Sequence, residues 1–369
     1  MKLFRKIMMI TFFVVVALVV VVFLFMQQPS FGKLPSGERL ARIERSPQYK
    51  KDHFENILPT AMMADDVSYV DMIRKFFFAT DSLREPDHVL PVVKTDLRAL
   101  NGQEPVLVWF GHSSYFLRID GKNILVDPVF SKRASPVQYA GSEQFPGTEI
   151  YSADDFPDID LMIITHDHYD HLDYGTIKKI HMRTKAIYTS LGVGSHLAYW
   201  GVPESKIHEL DWWEQATALP GIELTATPAR HFSGRGFIRN KTLWSSFVLK
   251  TSTHKIFLGG DSGYDASFKN IGDKFGPFDL ALLESGQYDK QWPFIHMMPE
   301  ETVLAAKDLQ AKVLMPVHWS KFRLALHPWN EPIERVTAKA AADGLPIATP
   351  RIGEPIAIGG PYPKVKWWE

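Results

Sequence analysis

Ile164-Thr165-His166-Asp167-His168-Tyr169-Asp170-His171-Leu172-Asp173 packs three histidines and three acids into one short turn, directly after the apolar residues Leu161-Met162-Ile163. An apolar run that stops at a polar cluster reads as a buried strand delivering a loop. The spacing H-x-H-x-D-H alternates side-chain directions. One turn therefore presents His166 and His168 to one metal, and Asp170 and His171, a step further round, to a second. Imidazole and carboxylate together suit zinc and related first-row ions. A lone histidine here would read as a solvated loop residue; this spacing reads as a metal motif.

A two-metal site needs ligands from the ends of other strands, and three positions fit. His231 follows Thr225-Ala226-Thr227-Pro228, Asp261 follows Ile256-Phe257-Leu258-Gly259-Gly260, and His318 follows Val313-Leu314-Met315-Pro316-Val317. The paired glycines before Asp261 let backbone pass close to a site.

The rest of the chain is organised around this cluster. The 369 residues suit one large domain or two ordinary ones. A net charge of −1 provides no field that attracts nucleic acid, so no nucleic-acid partner is expected. The absence of cysteine excludes disulfides, thiolate metal sites and a cysteine nucleophile. No Gly-x-Ser-x-Gly elbow is present, which removes the main support for a serine hydrolase.

The apolar run Ile7–Met26, preceded by Lys2, Arg5 and Lys6, is long enough as a helix (~1.5 Å per residue) to span a hydrocarbon core of roughly 30 Å. A cleaved signal peptide is the rival reading, but large residues stand where a small-x-small cleavage site belongs. Residues 1–28 are therefore expected to be a membrane anchor, 29–100 a linker and an extension packing on the main domain, and 101–369 the hydrolase domain. The basic residues before the run favour a cytoplasmic N-terminus. The protein would then be a single-pass membrane protein, in a bacterium at the inner membrane with its body on the periplasmic or outer side. Tyr69, Met72, Ile73, Phe76 and Phe77 fall at helical spacing and read as a packing face. From Pro105 onward, strand-like runs recur with helix-like stretches between them, and Asp120-Gly121 marks a hairpin turn.

Several segments together resemble the metallo-β-lactamase superfamily, and within it the branch of N-acyl-phosphatidylethanolamine-hydrolysing phospholipase D and its bacterial relatives. They include Trp109-Phe110-Gly111-His112-Ser113-Ser114, Leu125-Val126-Asp127-Pro128, the His166–Asp173 cluster, Thr227-Pro228-Ala229-Arg230-His231, Gly260-Asp261-Ser262-Gly263 and Pro316-Val317-His318-Trp319. The resemblance covers about residues 100–340; the lead-in His53-Phe54-Glu55-Asn56 is a fainter echo of the same branch. It implies an α/β fold, the four-layer αβ/βα sandwich, here preceded by a transmembrane helix. It also implies two zinc ions: one on His166, His168 and His231, the other on Asp170, His171 and His318, with Asp261 bridging and a hydroxide between them as nucleophile. Manganese or iron suits the same ligand set.

The same resemblance places three more histidine or acid positions near the chemistry. His296 would bind phosphate or protonate the leaving oxygen, joining Asp170 and Asp261 as catalytic residues. His112 would orient a ligand or touch substrate. Asp127 would support a zinc-binding histidine. Arg235 and Arg239 are candidates for steering an anionic substrate. Ile295 and Glu284 depart from the pattern of that branch. The function implied is a phosphodiesterase of phospholipase D type, acting on a phospholipid, another membrane lipid or a small phosphodiester. A lactonase of the same fold is the alternative, and a non-catalytic envelope scaffold is a third reading that the full ligand set argues against.

Overall fold

The computed structural model describes residues 1–65, 67, 68, 70, 74, 82–102 and 104–369. The stripe of Tyr69, Met72, Ile73, Phe76 and Phe77 lies outside them. Lys2–Met26 is one helix with no buried residue, long and apolar enough to cross a membrane. It ends at Gln27, and the chain turns at once through a 3-10 turn at Pro29–Phe31.

That turn is seated on the main body. The Trp200 indole N–H donates to the Pro29 carbonyl at 2.7 Å, and Arg235 donates from Nε and Nη2 to the Ser30 carbonyl at 3.0 and 2.8 Å. The lead-in that follows is also docked. Arg39 pairs with Glu204 and Glu209, and Ile43 and Phe54 are buried against Leu191, Trp212, Leu243 and Trp244.

Two sheets make the body. The first has seven strands in the order Ile207–Leu210, Thr184–Ser190, Ile159–Ile164, Lys122–Val126, Tyr115–Ile119, Val106–Trp109, Pro355–Ala357. The second has six, in the order Gln215–Leu219, Ile222–Thr227, Ser246–Lys250, Lys255–Leu258, Leu280–Glu284, Leu314–Val317. Each begins as antiparallel hairpins and continues as parallel strands. The expected hairpin turn is present: Asp120 and Gly121 both take positive φ (49° and 72°), and Ile119 pairs with Lys122.

The strand before the histidine loop shows why its sequence is continuously apolar. Leu161 and Ile163 face the inter-sheet core with Leu117, Ile124, Leu224 and Phe247. Met162 and Ile164 face the other way, against Ile177 and Ile180 of the helix Tyr174–Ile180 and Leu197 of the helix Gly194–Tyr199. A strand covered on both faces cannot alternate polar and apolar residues. On the outside of the second sheet lie Ser267–Phe275, Pro299–Asp308 and Glu331–Ala342. The layers are helix, sheet, sheet, helix: the expected αβ/βα sandwich.

Three strands of these sheets, all at edges, do not look like strands in the sequence, the short Pro355–Ala357 among them. Ile207–Leu210 (IHEL) and Gln215–Leu219 (QATAL) are edge strands, partly exposed and polar. An edge position tolerates, and is protected by, such residues.

Lys321 joins the sheets near the site. It is fully buried, and its ammonium donates to the carbonyls of Phe110 (3.2 Å) and Val129 (2.9 Å). Burial pushes its pKa down to about 7. Removing it strands two carbonyls and opens a hole, so Lys321→Ala is expected to lower unfolding stability by about 2–4 kcal/mol. The exposed Lys366→Ala is expected to stay within about 0.5 kcal/mol, and denaturant midpoints compare the two.

Candidate metal centre

The strands that run in one direction all deliver polar residues to the same end of the sandwich. Lys122–Val126 leads into Asp127, Ile159–Ile164 into His166, Ile222–Thr227 toward His231, Lys255–Leu258 toward Asp261 and Leu314–Val317 into His318. All five side chains are buried. Two of these backbones, Asp127 (φ 40°) and His318 (φ 68°), and that of the neighbouring His112 (φ 52°) sit in the left-handed region. Such conformations cost energy in non-glycine residues and persist only where the surroundings enforce them.

The enforcement is visible at His112 and His318. They come from different sheets, yet the His318 N–H donates to the His112 carbonyl at 2.9 Å and the His112 N–H to the Trp319 carbonyl at 2.9 Å. Gly286 permits this approach, since a Cβ there would lie 1.8 Å from the His318 carbonyl oxygen.

Donor atoms converge in two groups. His166, His168, His231 and Asp261 form one, and Asp170, His171, His318 and His112 the other, and a third set, Asp261, His296 and His318, overlaps both; within each, a ligand atom from every residue lies within 4.8 Å of the rest. The Nε2 atoms of His166 and His231 lie 2.9 and 3.2 Å from His168 Nδ1. Asp261 stands between the groups: its Oδ2 is 3.7 Å from His166 Nε2, 3.6 Å from His231 Nε2 and 3.2 Å from His171 Nε2, and its Oδ1 is 3.2 Å from His318 Nδ1.

Most of these groups are held from behind. Asp127 accepts from His171 Nδ1 at 2.8 Å and from the Thr165 N–H and hydroxyl at 2.8 and 2.7 Å. The Ile295 carbonyl accepts from His231 Nδ1 at 2.8 Å. Ser113 Oγ is 2.9 Å from His318 Nδ1. His112 Nε2 donates to Asp170 Oδ2 at 2.8 Å, which orients that carboxylate. Asn56 clasps the His231 backbone, donating to its carbonyl at 2.8 Å and accepting from its N–H at 3.1 Å. Such backing fixes ring orientation and tautomer.

Charge is arranged to match. Burial keeps His166, His231 and His318 well below the ordinary histidine range, so they are neutral, as ligation requires. Against their burial, Asp170 and Asp261 are held well below the usual carboxylate range by His171 and, respectively, by His112 and His318. His171 is pulled upward, also against burial, by Asp261 and Asp170. The two carboxylates that His171 faces call for positive charge, which a divalent cation would supply. The buried His168 Nε2, His171 Nε2 and Asp261 Oδ1 make no hydrogen bond. The donor set thus fits a pair of divalent ions in N/O coordination.

Above this floor is a cleft of about 240 Å³. His168, Asp170, His231, Asp261, His296 and His318 open into it, and its walls include Met62, Met63, Phe232, Trp292, Ile295 and Leu324, with Arg239 and Gln287. His296 Nδ1 lies 3.1 Å from Glu284 Oε2. Glu284 is fully buried at a strand end and also accepts from the Met297 N–H at 2.7 Å. Burial pushes its carboxyl up to about 7, and the facing Glu284 raises His296 against its own burial.

Some residues stand elsewhere than the sequence suggested. Arg235, a candidate for a supporting as well as a substrate-steering role, does not line the cleft. It is buried behind the histidine loop, donating to the carbonyls of Asp167 (2.6 Å) and Leu172 (2.8 Å) and stacking over Tyr169. Of the tryptophans near the site, Trp292 lines the cleft, while Trp319 stacks in the core on Trp109 and Trp367. Glu284 was legible only as a departure from a pattern. Its signal, an acid closing an apolar strand, is the same one that marks Asp127. Met62 and Met63 carry no signal in the sequence.

Comparison with known proteins agrees with the geometry. The family model of the β-lactamase superfamily domain matches residues 122–319. An uncharacterised protein of Mycobacterium tuberculosis is 40% identical over 329 residues, covering 88% of each chain. The N-acyl-phosphatidylethanolamine-hydrolyzing phospholipase D 1 of Caenorhabditis elegans is 30% identical over 264 residues, 67% of this chain and 74% of that one. A metallo hydrolase of the archaeon Ignicoccus hospitalis shares the fold, with a TM-score of 0.54 at 23% identity over 69% of this chain and 98% of its own. The chain belongs to the metallo-β-lactamase superfamily and is a metal-dependent hydrolase related to the N-acyl-phosphatidylethanolamine-hydrolysing phospholipases D.

Proposed function

We propose that this hydrolase is a dinuclear zinc phosphodiesterase of phospholipase D type, tethered by Lys2–Met26 and acting on a phospholipid or a related amphipathic phosphodiester. The observation that carries this reading is the cleft: a donor-rich floor under walls made of methionine, phenylalanine, tryptophan, isoleucine and leucine. A polar reacting centre beside apolar chains matches that division. The apolar helix supports the tether, and a tether raises the concentration of membrane substrate at the site.

Two divalent ions on this donor set would supply acidified water and Lewis-acid stabilisation of a phosphoryl centre. The chain supplies the remaining functions. Asp261 spaces the two halves of the donor set. His112 fixes Asp170, and Asp127 fixes His171. Arg239, at the cleft, offers a cation to a phosphate oxygen. His296, buttressed by Glu284, holds a proton at the cleft floor for the departing alcohol oxygen.

Full-length protein loaded with zinc is expected to hydrolyse an aryl phosphodiester and a phospholipid, and to act poorly on lactones and β-lactams. Turnover of lactones alone would replace this reading with the lactonase one. Asp261→Ala should reduce bound metal, measured by elemental analysis, and abolish turnover. His296→Ala should retain full metal and lose about 10²–10⁴-fold in kcat.

The Glu284–His296 pair also predicts a pH effect. Glu284 raises the His296 pKa, so protonated His296 persists further into alkaline pH. Glu284→Gln removes that negative charge, and the alkaline limb of the kcat profile should move to lower pH. An unmoved limb would assign the proton to another group.

A further inference from the structure

The loop Gly234–Asn240 has a closed base and an apolar tip. At the base, the Asn240 N–H donates to the Ser233 carbonyl at 3.0 Å and the Ser233 N–H to Asn240 Oδ1 at 3.2 Å. The chain doubles back so tightly that a Cβ on Gly234 would lie 3.1 Å from the Ile238 carbonyl oxygen. Gly234 donates to Asp167 Oδ1 at 2.7 Å, so the base is fixed to the histidine loop itself. At the tip, Phe237 is 83% and Ile238 55% exposed. A single exposed apolar residue needs no explanation. Two adjacent ones on a braced loop, beside a cleft, do.

Their location supplies it. Met26, the last residue of the apolar helix, lies over this loop: a Cβ on Gly236 would sit 2.6 Å from Met26 Cε. On the other side, Arg239 and Phe232 belong to the cleft wall. The loop therefore occupies the gap between the point where the helix ends and the mouth of the site. Only Gln27 and Gln28 separate the helix from the turn docked on Arg235 and Trp200. If that helix spans a bilayer, the body cannot swing away, and the surface meeting the lipid is the one beside Met26. An apolar tip with a neighbouring arginine suits the boundary between acyl chains and headgroups.

We propose that Phe237 and Ile238 are a membrane-insertion element. They dip into the leaflet at which Lys2–Met26 ends and hold the cleft mouth on the lipid surface, so that substrate enters from the bilayer. This rests on the reading of Lys2–Met26 as an anchor and does not depend on which ester bond is cleaved.

The absence of cysteine gives a direct test. Full-length Phe237→Cys and Ile238→Cys, each carrying an environment-sensitive fluorophore, are reconstituted into phosphatidylcholine–phosphatidylethanolamine vesicles. Met182→Cys is the control: it is 72% exposed and precedes Thr184–Ser190, at the opposite end of the strands from the site. The expected result is blue-shifted emission at 237 and 238, quenched several-fold by lipids spin-labelled near the headgroup, with water-like, unquenched emission at 182. Protein that floats with the vesicles while both loop labels behave like the one at 182 overturns the insertion element alone. Protein that fails to float overturns the anchor and this inference with it. Neither readout requires turnover, so loss of the phosphodiesterase reading would leave the result interpretable.

Discussion

Two carboxylates and a ring of imidazoles crowd together, nearly buried, at the floor of the cleft, and much of the fold answers to that crowding. Uncompensated buried charge is among the most expensive features a protein can carry. Asp170 and Asp261 are held toward their ionised forms by the imidazoles that face them, His171 foremost. The arrangement is a poor way to stabilise a core and a good way to bind cations. The protein keeps it by distributing the cost. Backbone carbonyls, hydroxyls and carboxylates hold the histidines from behind, and the left-handed backbones at His112, Asp127 and His318 are locked by hydrogen bonds between loops.

This locking explains why two sheets are needed. One sheet could offer the histidine cluster, but Asp261 and His318 arrive from the other. The sandwich brings the two strand ends into register, and the exchange of backbone hydrogen bonds between His112 and the His318-Trp319 segment joins them at the site itself. Lys321, three residues on, repeats the device with a buried amine on two carbonyls of the first sheet's loops. Packing and ligation are thus one network, built from the same few residues.

Much of this was readable in the chain, because the relevant signals are local. Strands such as Ile159–Ile164 and Lys255–Leu258 announce themselves by continuous apolar runs, and a polar residue at the end of each run marks the site. The polar edge strands at Ile207–Leu210 and Gln215–Leu219 gave no such pattern, since an exposed edge neither needs nor favours it. Arg235 illustrates a different limit. An arginine near a ligand histidine looks like a substrate contact, and only the three-dimensional path of the backbone shows that its partners are three carbonyls behind the loop. The contacts of Glu284 with His296, and of Met62 with the cleft, join segments far apart in sequence and leave no local trace.

The Ser30 carbonyl accepts two hydrogen bonds from the guanidinium that also grips the Asp167 and Leu172 carbonyls, and Lys33 donates its N–H to His196, which in turn faces Asp167 at 3.2 Å. The segment just past the apolar helix is therefore part of the scaffold of the ligand loop. This has a practical side for anyone preparing the enzyme without its helix. A cut near residue 100, just before the first sheet, would discard a structural wall of the site. Trimming that leaves Pro29 onward in place keeps the loop's supports, because those contacts begin directly after the helix and well before the first sheet.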